Sequence, residues 1–189
     1  MNTARTLYQG TAGTQGAALA IGGDPGNLTA TEEFDGTNWA TSPGSLNTPR
    51  GNMAGAGAQT AAVAFGGTTP GSFVVTTTES YDGSTWTSQG ALNTARRRAA
   101  GGGTLTAGLA FGGLVPGPAA TTSTETFDGS TWTAASSMGT GRYFLSGFGL
   151  TSTQSMAMGG LLTGSASNYT NLTEEYNPPV AVAKTVTTS

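Results

Sequence analysis

With no histidine and no cysteine, the ionic chemistry of this 189-residue chain rests on ten Asp/Glu and seven Lys/Arg side chains. That composition excludes an imidazole base, a thiolate nucleophile, a Cys/His zinc centre and any disulfide. Two sets stand out by spacing: Arg5, Arg50, Arg96 and Arg142, and Glu32, Glu79, Glu125 and Glu174. Gathered on one face, the arginines would make an anion-binding cluster. Joined to the glutamates by bidentate, charge-assisted bonds, they would instead form half-buried pairs holding each structural unit to its neighbour. The second reading is favoured, since an active site breaks repeat symmetry and a scaffold obeys it. Acid–base catalysis by two carboxylates needs two different environments, and repeat-equivalent glutamates have similar ones. Asp35, Asp82 and Asp128 each precede a glycine, where aspartate caps turn amides. Six charged residues fall outside these sets: Asp24, Glu33, Arg97, Arg98, Glu175 and Lys184.

The elements that position these side chains are repeated. A Gly-Gly pair ends an apolar run at Gly22-Gly23, Gly66-Gly67, Gly112-Gly113 and Gly159-Gly160, with first glycines 44, 46 and 47 residues apart. A Thr-Glu-x-aromatic block follows each pair, at 31–34, 78–81, 124–127 and 173–176. Trp39, Trp86 and Trp132 lie five residues after the aromatic in three copies, and Ala181 holds that place in the fourth. Each arginine comes just before a run of small residues. These patterns predict four short strands per unit: a small-residue inner strand, the apolar run, the alternating Thr-Glu strand, and a Trp strand reached through a tight Asp-Gly hairpin turn. Recurrent glycine and scarce helix formers exclude long helices. Four-stranded units of this length predict an all-β fold, a β-propeller of four blades in one domain over 1–189, with blades at about 1–43, 44–89, 90–135 and 136–189.

The Gly-Gly, aromatic and Trp positions, with an arginine leading each blade, resemble the kelch repeat across essentially the whole chain. The resemblance implies a kelch-like propeller and says little of activity, because one fold hosts many functions. A copper radical oxidase on this scaffold would need the histidine and cysteine that are absent. Kelch rings more often have six or seven blades. A ring of four, two copies sharing a ring of eight, and an open arc against a neighbour are therefore the alternatives. The last unit departs from the pattern at Asn177-Pro178-Pro179, although the alternating tail from Val180 to Val186 could still supply its outer strand.

Charge is unusually sparse, at 9% of residues and a net −3, against about 25% charged in ordinary soluble domains. That balance argues against nucleic acid as a partner. No apolar run is long enough to insert into a membrane as a helix, and residues 1–10 do not read as a secretory signal. The Gly-Gly pairs lack the context of a phosphate loop, and no cofactor is expected. Asymmetry is where function should show, and it lies in the loops after the Gly-Gly pairs, on the face of the arginine connections. Their tips carry Phe73 and Val74, Leu114 and Val115, and Asn168 and Tyr169, with Arg97 and Arg98 nearby. These are the candidate contact residues.

A surface of Thr, Ser, Asn, Gln and Gly lacks the Lys and Glu that oppose association. Together with the phrases Leu92–Arg96 and Tyr81–Trp86, it resembles kelch-like virion proteins of marine tailed bacteriophages. That resemblance implies a non-enzymatic structural or adhesion protein on the particle surface (capsid decoration, head fibre or tail appendage). Its partners would be other virion proteins and further copies of itself. The alternative is a lectin-like module that binds a host-surface glycan through loop aromatics.

Overall fold

The structure, a computed structural model, describes residues 1–117, 119–163 and 168–176. Among the described residues, fifteen strands form four antiparallel meanders in chain order. The first is β1 (Thr11–Thr14), β2 (Ala17–Ile21), β3 (Thr31–Phe34) and β4 (Trp39–Thr41). The second is β5 (Ala54–Ala58), β6 (Ala61–Phe65), β7 (Thr78–Tyr81) and β8 (Trp86–Gln89). The third is β9 (Ala100–Thr104), β10 (Ala107–Phe111), β11 (Thr124–Phe127) and β12 (Trp132–Ala135). In the fourth, β13 (Ser146–Thr151), β14 (Gln154–Met158) and β15 (Thr173–Tyr176) are described. The tail expected to add an outer strand there lies outside the described residues, as does Lys184.

Together the sheets make a four-bladed β-propeller. Strand β5 packs on β1, β9 on β5 and β13 on β9. The first and fourth blades meet where Tyr8 stacks on Phe144, with ring centroids 5.3 Å apart. The chain thus lays out the four blades of a propeller in sequence order.

Small residues on the inner strands follow from that tight geometry. A Cβ added at Gly55 would lie 2.7 Å from the Thr11 carbonyl oxygen, and one at Gly101 would lie 2.4 Å from that of Gly55. Larger side chains fill the gaps between blades. Leu19, Ile21, Met53, Tyr81 and Trp86 pack between the first and second; Val63, Phe65, Leu92, Phe127 and Trp132 between the second and third; and Leu109, Phe111 and Leu145 between the third and fourth.

The Asp-Gly hairpins are present, but their loops hold four residues rather than a two-residue turn. Asp82 Oδ1 accepts the amides of Ser84 and Thr85 at 2.8 and 2.7 Å, and Asp128 does the same for Ser130 and Thr131. The carboxylate stabilises the wider loop by acting as its acceptor. These amides hold Asp82 and Asp128 well below the usual carboxylate range.

Candidate functional site

The symmetric ionic sets form four buried pairs. Arg50 meets Glu79 at 3.0 Å, Arg96 meets Glu125 at 2.7 Å, Arg142 meets Glu174 at 2.8 Å, and Arg5 meets Glu32. All four arginine side chains have 0% exposure. Arg50 Nη1 also donates to the carbonyls of Gly66 and Thr77 at 3.2 and 2.9 Å. Glu79 in turn accepts the amides of Asn47 and Thr48 at 2.7 and 3.3 Å. Burial pushes Arg50 and Arg96 down from the ordinary arginine range, while Glu79 and Glu125 oppose that shift. Burial also works against the charge on Glu32, but the Asn2 and Thr3 amides and Arg5 together hold it below its ordinary value. Guanidinium groups paired through Nη2 and buried in this way are not available as an anion cluster, although the Nε of Arg5, Arg50 and Arg142 is buried without a partner.

One expectation is corrected. Each ion pair lies within one blade, where it clamps the incoming connection onto its own sheet, rather than bridging two blades. The arginine backbone makes the bridge instead. The amides of Gly23, Gly67 and Gly113 donate to the carbonyls of Arg50, Arg96 and Arg142 in the following blade at 2.9, 2.8 and 2.8 Å. Glu33 is also internal, accepting from the Tyr81 hydroxyl of the next blade at 2.6 Å.

The loops after the Gly-Gly pairs do share a face with the arginine connections. Backbone bridges join Thr6 to Asp24, Gly51 to Thr68, Arg97 to Leu114 and Tyr143 to Leu161. At the centre of this face the expected contact residue Arg98 joins three residues not singled out in the sequence, Tyr8, Asn52 and Phe144; φ at Tyr8, Asn52, Arg98 and Phe144 is 53°, 52°, 55° and 53°. Among the described residues sixteen glycines take positive φ, and only these four and Asn27 do so with a side chain. Left-handed backbone costs roughly 1–2 kcal/mol for a residue with a Cβ, asparagine being the most tolerant. A chain with 31 glycines nevertheless keeps Tyr, Arg and Phe at these points, which assigns a role to the side chains themselves.

Those side chains touch. The Arg98 guanidinium lies 4.3 Å from the Phe144 ring centroid and 5.8 Å from that of Tyr8. Its Nε donates to Asn52 Oδ1 at 3.0 Å, and Asn52 Nδ2 donates to Asp24 Oδ2 at 2.9 Å. The backbone links the same residues, Arg98 N to Asn52 O at 2.8 Å and Phe144 N to Arg98 O at 3.0 Å. Two cavities flank the cluster. One, of about 360 Å³, is lined by Asp24, Asn27, Asn52, Thr68, Phe73 and Arg97 among others. The other, of about 450 Å³, is lined by Arg98, Tyr143, Phe144, Gly160, Leu161 and Tyr169.

The expected contact residues divide between these surroundings. Phe73 and Tyr169 are 79% and 75% exposed, and the Arg97 guanidinium lies 5.3 Å from the Phe73 ring centroid. Asn168 is exposed, and Val74 and Val115 are half-buried. Leu114 is corrected: it is buried at 5% and exchanges both backbone hydrogen bonds with Arg97, so it supports the face rather than forming it. The sequence signal that could have revealed the central cluster is the position two residues after Arg50, Arg96 and Arg142. There Asn52, Arg98 and Phe144 share a repeat slot but no chemistry. The one-residue longer approach to Tyr8 from Arg5 hides the fourth member.

Compared with known proteins, the chain matches no family model and no curated protein.

Proposed function

We propose that this propeller is a non-enzymatic structural and adhesion component of a bacteriophage particle, present in multiple copies on the particle surface as capsid decoration, head fibre or tail appendage. The observation that carries the reading is the internal use of the repeated charges: the four Arg–Glu pairs are buried, so an already charge-poor chain has few ions to keep its surface apart from other proteins. Exposed apolar side chains point the same way, with Phe148 and Leu150 on β13 at 57% and 78% exposure and Phe73 on the loop face. Such a surface suits contact with other virion proteins and with further copies of this chain.

A second reading, binding of a host-surface glycan, is favoured by the loop face. There exposed aromatic rings border cavities that also carry amide, carboxylate and guanidinium groups. A small number of polar groups beside aromatic faces is the usual composition of a small-ligand site.

The test is mass spectrometry of particles purified through a density gradient from the phage that encodes this chain. The proposal predicts peptides of this chain at many copies per particle. Its recovery only as free protein, with none in the particle fraction, would contradict the proposal.

A further inference from the structure

We propose that the cavity beside the propeller mouth binds a carboxylated saccharide, with Arg98 pairing to the sugar carboxylate and Tyr169 receiving a face of the sugar ring. The inference rests on the glycan reading of the loop face and names the class of glycan.

Its first support is an arginine held in place but not neutralised. The arginines at the four repeat positions are each paired to a glutamate. Arg98 has no such partner among the described residues, and its terminal nitrogens donate to none of them. Its position is nonetheless fixed, by the bond from Nε to Asn52 and by the Phe144 ring beneath the guanidinium. The remaining N–H groups of this planar fork match the geometry of a carboxylate.

The second support is the chain's distribution of charge. The protein is acidic overall, at net −3, yet the two described arginines outside the repeat pairs are neighbours in sequence on this one face. Arg97 lines the neighbouring cavity against Phe73, so at this one the positive charge is that of Arg98.

The third support is the cavity wall. A volume of about 450 Å³ accommodates one or two sugar rings, and Tyr143, Phe144 and Tyr169 line it. Aromatic faces carry partial negative charge and attract the polarised C–H groups on one side of a pyranose, as they attract other positive edges. The positive-φ backbone at Arg98 and Phe144 fixes both groups before ligand arrives, which lowers the ordering cost of binding.

The experiment is binding of the purified full chain to an array of oligosaccharides. These carry glucuronic, galacturonic or N-acetylneuraminic acid, each beside its methyl ester and a neutral counterpart. The expected result is binding of at least one acidic member, at least tenfold weaker for its ester and weakened by added salt. Arg98→Asn, which suits the left-handed backbone, and Tyr169→Ala, on an exposed side chain, should each lose at least tenfold in affinity while melting as the parent does. Phe73→Ala, at the other cavity, should bind normally. Equal binding of acid and ester, or full binding by Arg98→Asn, would overturn this inference and leave the glycan reading standing. No binding to any saccharide would overturn both.

Discussion

The indole nitrogen of Trp86 in the second blade donates to the hydroxyl of Thr31 in the first at 2.9 Å, and Trp132 repeats the bond to Thr78 at the same distance. Both partners are buried, Thr31 at 0% and Trp86 at 5%. The Trp position is therefore a polar link across a blade interface as well as apolar filling. Trp86→Phe should lower stability by about 1–3 kcal/mol, through an orphaned hydroxyl and lost packing. Urea unfolding measures this, and the corresponding change at Trp39, a half-buried residue on the outer strand of the first blade, should cost less.

The Gly-Gly pairs make a separate prediction. At Gly66, φ is +63° and an added Cβ would sit 2.5 Å from the Arg96 carbonyl oxygen of the next blade. Gly66→Ala combines backbone strain with a backbone clash and should cost at least about 2 kcal/mol. In a domain of this size that is a melting temperature lower by roughly 4–8 °C. Gly71→Ala is the control, because nothing lies within 4 Å of its added Cβ, and it should leave the melt unchanged.

Tyr81 gives the protein an alkaline limit. Burial and the hydrogen bond to Glu33 push its phenol up to about 12, against about 10 in an unfolded chain. The neutral phenol is the form the fold favours. Its contribution is therefore complete below pH 10 and is lost as pH rises from about 10 to about 12. Unfolding free energy measured across that interval should fall more steeply for the parent than for Tyr81→Phe.

The blade architecture was legible in the sequence because each blade repeats the same physical problem. Gly-Gly must approach a neighbouring carbonyl, Trp must reach a neighbouring hydroxyl, and alanine and glycine must line an axis too narrow for larger side chains. The arginine and glutamate sets were legible as structural pairs for the same reason. Their placement within a blade was not, because residues 29 positions apart, such as Arg50 and Glu79, can meet within a unit or across an interface with the same spacing. Apart from Arg98, the mouth cluster stayed hidden for a different reason. Tyr8, Asn52, Arg98 and Phe144 share a backbone conformation rather than a residue type, and dihedral angles leave no mark on a sequence that declines to use glycine. Leu114 misled because an apolar residue beside a proline-rich tip looks exposed until its backbone pairs with Arg97.

The central claim is that the repeated charges clamp each blade's incoming connection onto its own sheet and leave partner contact to the loop face. A double-mutant cycle on Arg50 and Glu79, read by urea unfolding, tests it most directly. Glu79→Ala and Arg50→Met should each cost about 3–5 kcal/mol, since each strands a buried charge. The double variant should lose less than the sum of the two, by up to about 3 kcal/mol of coupling. Single variants as stable as the parent, yet unable to associate with the particle, would contradict the claim and return these side chains to a functional site.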